Sequence, residues 1–166
     1  MQGPQSDSIE RVRHYILSHS IDAEVRLLAP KSTRTSHLAA ESLGCTVAEI
    51  AKTIGFVRNS GEKDASPILV TLSGEKRVNL EKLAQYLGVP LPTLRKMNAE
   101  EVKSFTGYSI GGVPPFPHDV NVRVLADESL FRFERVWAAA GSTNAVMKLS
   151  PSVLIDLGIS RIAVSD

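Results

Sequence analysis

Hydrophobic and polar positions follow two different periods along this chain, and together the two periods predict a mixture of helices and strands. The helical period, bounded by capping residues, predicts helices from Asp7 or Ser8 to His19 and over residues 36–43, 80–86, 99–106 and 151–157. The alternating period predicts strands over residues 24–29, 51–58, 67–73, 120–125, 135–139, 145–149 and 159–164. The two kinds of element are interspersed along the chain.

Composition excludes several classes of protein. The chain has 166 residues, of which 43% are hydrophobic, and its net charge is +1. No apolar run is long enough to span a bilayer, and the single cysteine rules out an internal disulfide. The near-neutral charge does not fit a protein that wraps long nucleic acid, although it permits contact with a nucleic-acid end. We expect one domain over residues 1–166, with 1–6 as a disordered tail, and a cytoplasmic location.

Residues 106–118, TGYSIGGVPPFPH, form a loop that is rich in both glycine and proline. Proline makes such a loop stiff, whereas glycine lets the backbone approach a ligand closely. The amides of Gly111 and Gly112 are uncrowded and could point at an anionic oxygen. A purely structural turn with a proline-rich exit explains the composition equally well.

The strand AKTIGFVR has an unusual face, because alternation puts Lys52 beside Ile54 and Phe56. A lysine in such a position either lies at the strand's edge with its ammonium in water or lines a cavity that receives an anion. From the pattern alone we favour the edge. Lys31 and Arg34, in the basic loop KSTRT, are interpreted as solvated unless that loop faces a site.

Standard catalytic signatures do not occur. The sequence has no phosphate-binding GxxxxGK[ST] loop, no dinucleotide GxGxxG and no GxSxG elbow, and its four histidines lack zinc-type spacing. Cys45 is interpreted as structural. What remains is a lysine, a double-glycine loop and a small-residue loop at residues 141–144. These suit either a binding pocket or a hydrolase without a catalytic triad, and no metal or organic cofactor is implied.

Several motifs carry a resemblance to a known family. They are RTSHLAAESLG, EIAKTIGFV, ILVTLSGEKRVNLEKLAQYLG, TGYSIGGVPPF, LADESLFRFERVWAAAGS and a final LSP. In this order and spacing the chain resembles the YbaK/ProX-type aminoacyl-tRNA editing domain, the free-standing relative of the prolyl-tRNA synthetase editing insertion. The resemblance implies a compact fold of the mixed α/β class, with a mixed, partly closed β-sheet surrounded by helices. It also implies hydrolysis of mischarged tRNA for proline.

The resemblance also implies site residues. It moves Lys52 into a pocket, where the lysine would bind the terminal adenosine, and it gives Lys52 and Gly112 catalytic roles. Asp127 matches a recurrent acidic position with an expected structural role. The expected substrate-binding residues are Thr35, Tyr108, Gly111, Val113, His118, Gly141 and Ser142.

The chain departs from the family pattern in two places. Pro117 stands where many relatives have glycine, which bears on the geometry of the loop exit and the placing of His118. The small-residue loop lacks the histidine of the alanine-specific branch, so the removed amino acid could be cysteine, alanine or another small residue. The implied partners are the acceptor end of mischarged tRNA and, further, prolyl-tRNA synthetase or an elongation factor, with the protein as a monomer or homodimer. The alternative is a non-catalytic aminoacyl- or nucleotide-binding accessory module.

Overall fold

The computed structural model of the protein describes residues 4–59 and 65–166. The helices are α1 (Pro4–Ser18), α2 (Ser36–Leu43), α3 (Leu80–Leu87), α4 (Ala99–Thr106) and α5 (Ser152–Asp156). The strands are β1 (Glu24–Leu27), β2 (Ile50–Asn59), β3 (Ala65–Ser73), β4 (Leu94–Lys96), β5 (Arg123–Asp127), β6 (Val136–Ala139), β7 (Ala145–Leu149) and β8 (Ser160–Ile162). The predicted mixed α/β class is confirmed.

All eight strands belong to one mixed sheet, in the order β1-β7-β6-β2-β3-β5-β8, with β4 paired to β2. The longest ladder joins β2 and β3 in antiparallel register from Ala51 opposite Ser73 to Asn59 opposite Ala65. The strand β6 runs parallel to β2, and β5 runs parallel to β3 and β8. The ladder of β2 and β3 forms the centre of the sheet and supports the strands on either side.

The edge of β2 that faces away from β3 pairs with two short strands, and a gap remains between them. The strand β6 pairs with β2 only at Ile50 and Ala51, and β4 pairs with it only at Phe56, Val57 and Arg58. Residues 52–55 therefore have β3 on one side and, among the described residues, no strand on the other. This interruption opens the sheet at its centre.

Helices cover both faces of the sheet. On one face α1 buries Ile9, Val12 and Ile16 in the largest hydrophobic cluster, which also contains Val57 and Leu69. On the other face α3 contributes Leu83 and Ala84 to a cluster that holds Phe56, Ile68, Val70 and Leu72. Consecutive residues of β2 and β3 thus enter opposite cores, which explains why these strands read as nearly continuous apolar runs.

The element boundaries differ from the sequence predictions in a few places. The first helix begins at Pro4, ahead of the predicted start at Asp7 or Ser8. Residues 1–3 lie outside the described residues, so the tail predicted over residues 1–6 stays a prediction. The strand predicted at 120–125 begins only at Arg123, because Val122 is held in a turn by its N–H bond to Asp119. Most of the predicted connection at 59–66 also lies outside the described residues.

Shorter elements account for the other differences. The strands predicted at 24–29 and 159–164 are only four and three residues long, and β4 was not predicted at all. Pro151 occupies the N-cap rather than the first position of α5. None of the helices in the described part of the chain combines the length and the apolar character needed to cross a membrane.

Candidate functional site

The interruption in β2 opens into a cavity of about 270 Å³. Its walls come from the start of α2, the middle of β2, the end of β4, the glycine-containing loop after α4, and β6. Its lining residues are Thr33, Arg34, Thr35, Ser36, Ala39, Ile50, Ala51, Lys52, Thr53, Ile54, Gly55, Lys96, Met97, Val102, Ile110, Gly111, Val113, Trp137, Ala138, Ala139 and Val146. The walls are mostly apolar, with polar groups confined to a few positions, as is typical of ligand sites.

Lys52 lies half-buried in this cavity, so the interpretation of an ordinary strand-edge lysine is wrong. Its ammonium donates a hydrogen bond to the carbonyl oxygen of Gly74 at 3.1 Å. Burial, followed by repulsion from Arg77 and Lys96, lowers the pKa of Lys52 below its ordinary value. An anion bound beside the ammonium would relieve both costs, since it supplies the opposite charge that the site lacks.

The cavity carries positive charge without a compensating carboxylate. Arg34, Lys52 and Lys96 contribute side chains to its wall, whereas none of the described lining residues is acidic. The ion pairs found in the described chain join Arg13 to Glu10, Lys82 to Asp166, Arg95 to Glu101, Arg132 to Glu75 and Arg135 to Asp22. The cavity's cations take part in none of these pairs, so they remain available to an anionic ligand.

Three loops lock together at one end of the cavity, and Thr33 joins them. We call residues 31–35 the basic loop, residues 109–113 the glycine loop and residues 141–144 the buttress loop. The Thr33 hydroxyl lies 2.8 Å from the Gly111 carbonyl oxygen and 3.2 Å from that of Ser142. The Thr33 N–H donates to the carbonyl of Thr143 at 2.8 Å. The position of the glycine loop is therefore fixed by its two neighbours.

Within the glycine loop, Gly111 and Gly112 have different roles. Gly111 has a φ of 88° and lines the cavity. In the described chain no acceptor is recorded for its N–H or for that of Val113. The Gly112 N–H, in contrast, donates to the Ser109 carbonyl at 2.9 Å. The expectation that Gly112 offers a free amide is corrected, because that amide closes a turn.

Gly112 instead allows two loops to approach closely. A β-carbon at this position would lie 2.7 Å from the Cα of Ser142. The carbonyl oxygen of Gly112 accepts a hydrogen bond from the N–H of Gly141 at 3.0 Å. A side chain here would push the glycine loop away from the buttress loop, so glycine is required by packing.

Tyr108 and His118, both expected to bind substrate, lie behind the glycine loop and outside the cavity lining. Tyr108 is buried, and its hydroxyl donates to the Pro117 carbonyl at 3.3 Å. The His118 ring packs edge-on against Tyr108, and its Nε2 lies 2.7 Å from the Pro114 carbonyl oxygen. Burial lowers the pKa of His118 to about 4. Both residues stabilise the proline-rich exit, where the Phe116–Pro117 peptide is cis.

Gly141 and Ser142 also lie outside the cavity lining, in the buttress loop. Gly141 has a φ of 105° and leaves room for the carbonyl of Ser8, which would lie 2.6 Å from an added β-carbon. The buried Ser142 hydroxyl donates to the Asn144 side chain at 2.6 Å. These residues support the glycine loop from behind. Thr35, Gly111, Val113 and Lys52 remain as the expected site residues that the structure brings together.

Sequence reasoning missed several residues of the cavity wall. Arg34 was interpreted as solvated, and Lys96, Ile110, Met97 and Trp137 were not singled out. The one usable signal was the basic composition of KSTRT next to a helix start. Lys96 gave no signal, because its strand has only three residues and is recognisable only by its pairing with β2.

No grouping of metal ligands accompanies the cavity in the described chain, where no three His, Cys, Asp or Glu side chains come together. Cys45 lies partly exposed outside the cavity lining, and burial together with the nearby Glu49 raises the pKa of its thiol. Hydroxyls of Thr33, Thr35 and Ser36 line the cavity, but no carboxylate or imidazole there could activate them.

Comparison with known proteins identifies the family of the chain. Residues 30–157 match the sequence profile of the aminoacyl-tRNA editing domain. The chain belongs to this family. The match includes the cavity, all three loops and every strand except β1 and β8.

Individual relatives extend the comparison. An uncharacterised protein of Bacillus subtilis, YwhH, is 34% identical over 131 residues, which cover 79% of each chain. A proline–tRNA ligase of Limosilactobacillus fermentum is 30% identical over 109 residues, which are 66% of this chain but 19% of the ligase. The chain therefore corresponds to about a fifth of that enzyme.

Solved structures match over the whole fold. A candidate trans-editing enzyme for prolyl tRNA synthetase superposes with a TM-score of 0.82 at 32% identity, covering 100% of this chain and 99% of the other. The hypothetical protein APE2540 superposes with a TM-score of 0.84 at 29% identity, covering 94% of this chain and 99% of the other.

Proposed function

We propose that the protein is a trans-editing deacylase that hydrolyses the ester bond of mischarged tRNA. Its expected substrate is tRNA for proline that carries alanine, cysteine or another small amino acid. The observation that carries the proposal is that Lys52 and the glycine-loop residues Gly111 and Val113 line one cavity. Membership of the editing family and the similarity to a proline–tRNA ligase support this choice of substrate.

In the proposed mechanism Lys52 binds the phosphate end of the terminal adenosine. The N–H groups of Gly111 and Val113 orient the ester carbonyl and stabilise the oxyanion that develops on it. Water acts as the nucleophile, because the described cavity lining offers no activated side chain, and the neighbouring ribose hydroxyl helps to hold it. With a cysteinyl substrate the thiol can instead attack its own ester carbonyl, which breaks the acyl–oxygen bond and releases the tRNA together with a thiolactone. Water attack breaks the acyl–oxygen bond and yields free amino acid and deacylated tRNA.

Selectivity in this mechanism comes from the limited volume of the cavity. Apolar side chains such as Ile50, Met97 and Val146 restrict the space beside the glycine loop. A pocket of this kind distinguishes one methylene by only about 1–3 kcal/mol, so exclusion of the proline ring must rest on shape. Prolyl-tRNA synthetase or an elongation factor bound to the same tRNA is proposed as a partner.

The test is release of labelled amino acid from tRNA for proline charged with proline, alanine, cysteine or serine. We expect rapid release from one mischarged species. Lys52→Ala should raise the activation free energy by roughly 2.7–4 kcal/mol, the range found when one oxyanion donor is lost. The matched control is Lys76→Ala, since Lys76 lies in a nearby turn and outside the cavity lining. Near-normal release by folded Lys52→Ala would contradict the mechanism.

A second function is favoured by one observation, the lack of any acid or imidazole in the described cavity wall. A module that only holds an aminoacyl or nucleotide group, as an accessory to a synthetase, needs no such group. Turnover separates the two functions. Only the enzyme releases more amino acid than the molar amount of protein present, whereas the accessory module binds the same tRNA without releasing anything.

A further inference from the structure

Lys96 lies on the same face of the sheet as Lys52. In antiparallel pairing, side chains directly opposite each other point to the same face, and Lys96 lies opposite Phe56. Alternation along β2 places Lys52, Ile54 and Phe56 on that face. Both lysines line the cavity, one from the middle of β2 and the other from the end of β4, with Ile54 between them.

Arg77 brings a third positive charge close enough to Lys52 to repel its ammonium. The Lys52 ammonium is directed to the carbonyl of Gly74, in the turn that follows β3, and Arg77 lies three residues further along the chain. The repulsion that Lys52 experiences comes from Arg77 and Lys96. The ion pairs of the described chain include neither Lys96 nor Arg77.

Two cations that repel Lys52, with no ion pair in the described chain to offset any of the three charges, are costly unless an anion joins them. The Lys52 ammonium has three N–H donors and spends one on Gly74, so two remain for a ligand. Lys96 is exposed and lines the cavity, and its ammonium has no hydrogen-bond acceptor among the described residues. A phosphate between these lysines could accept hydrogen bonds from both, and such charge-assisted bonds are the strong ones.

On the basis of the function proposed above, we propose that Lys96 is a second phosphate-binding residue. Together with Lys52 it binds the phosphate attached to the 5′ oxygen of the terminal adenosine, and Arg77 increases the attraction from the turn after β3. The ligand consequently lies in one orientation, with its phosphate between β2 and β4. Its ester end points towards the glycine loop and Arg34.

The test uses two nucleotides that differ only in the phosphate, 5′-AMP and adenosine, titrated into the full-length protein by calorimetry. Trp137 is the only tryptophan of the chain and lines the cavity, so its fluorescence provides a second readout. We expect AMP to bind more tightly than adenosine. Lys96→Gln should weaken AMP binding by about tenfold, as loss of a charge-assisted hydrogen bond implies, and leave adenosine binding unchanged.

Matched variants isolate the charge at position 96. Lys96→Arg should retain the preference for AMP, and Lys76→Gln, which removes a lysine outside the cavity lining, should retain it too. The proposal is overturned if wild-type protein binds AMP no more tightly than adenosine. It is equally overturned if folded Lys96→Gln keeps the full preference for AMP.

The outcome is independent of catalysis. A protein that distinguishes AMP from adenosine through Lys96 but releases no amino acid from any charged tRNA would disprove the deacylase and leave the phosphate site standing. A protein that deacylates tRNA with no contribution from Lys96 would disprove the phosphate site and leave the deacylase standing.

Discussion

At the scale of single residues, the depressed pKa of Lys52 has a consequence for the pH dependence of binding. Burial first, then Arg77 and Lys96, favours the neutral amine. Lys52 therefore loses its proton, and with it the attraction for phosphate, at a lower pH than an ordinary lysine. Calorimetric titrations of AMP from neutral pH upward should show affinity falling before the ordinary lysine pKa of 10.5 is reached.

Lys96→Gln should move this alkaline decline to higher pH, because it removes one of the two repulsive charges. Lys76→Gln serves as the control and should leave the decline where it is. If the decline stays at the same pH in Lys96→Gln, the two ammonium groups are not coupled in the way the structure implies.

His118 makes a prediction about acid stability. Its pKa of about 4 in the folded protein lies below the ordinary value of 6.5, so the unfolded chain binds the proton more readily. The stabilisation is fully present above pH 6.5 and is lost as pH falls towards 4. Since one pKa unit corresponds to about 1.4 kcal/mol, the total loss should be roughly 3 kcal/mol.

Urea unfolding of wild type and His118→Gln, measured at neutral pH and near pH 4.5, checks this value. We expect the glutamine variant to lose much less stability between the two conditions. Equal losses in both proteins would mean that another titrating group causes the loss of stability at low pH.

At the scale of elements, the contact between the glycine loop and the buttress loop is the most sensitive. Gly112→Ala places a methyl group against the Ser142 backbone, which cannot move aside as a flexible side chain would. We expect a loss of about 1–3 kcal/mol in the free energy of unfolding, typical of overpacking. The displaced Gly111 and Val113 amides should also reduce deacylation.

Gly88→Ala is the comparison for this prediction. Gly88 has a φ of 69° but nothing within 4 Å of an added β-carbon, and it follows α3 outside the cavity lining. It should lose about 1 kcal/mol through backbone strain alone while deacylation is retained. Equal loss of activity in both variants would show that general destabilisation, not loop displacement, is responsible.

Most helices and long strands could be predicted from sequence, because their signals are local. Thr35, Asn79 and Asn98 cap the helices α2, α3 and α4, and glycines follow all three. The short strand β4 could not be predicted, since three residues between a proline-rich turn and a capping box carry no period of their own. Its existence depends on the edge of β2 that it pairs with.

The candidate site was predictable only in part, for a related reason. Lys52 and the double glycine stand out in the sequence, but a motif does not say which of its residues face a ligand. Tyr108 and His118 belong to the same motif as Gly111 and Val113 and yet pack behind the loop, and the Gly112 amide closes a turn inside it. The sequence could not relate Lys96 to Lys52, because the two lysines are far apart along the chain. Only the pairing of β4 with β2 brings both to the same cavity.

At the scale of the whole molecule, the buried carboxylate of Asp127 holds the C-terminal segment to the sheet. It accepts hydrogen bonds from the N–H groups of Ser129, Val164 and Ser165 and from the Ser165 hydroxyl. Burial alone would raise its pKa, but these hydrogen bonds lower it below the ordinary value. The expected structural role of this residue therefore has a physical basis.

Asp127→Asn should lower the free energy of unfolding by about 2–3 kcal/mol, since the amide loses the charge that these donors favour. Asp156→Asn, a substitution at an exposed position at the end of α5, should change it little. The two are compared by urea denaturation at neutral pH. An Asp127→Asn variant as stable as wild type would show that the carboxylate charge contributes nothing.

The open edge of β2 also bears on the timescale at which one amide exchanges with solvent. The Gly55 carbonyl accepts from the Met97 N–H, and alternation puts the Thr53 N–H on that same edge, in the interval that neither β6 nor β4 covers. Inside an otherwise protected central strand, the Thr53 amide should exchange deuterium quickly in the free protein. If this amide exchanges more slowly after a nucleotide ester is added, the ester occupies the cavity. The measurement reports binding at a single residue and needs no turnover.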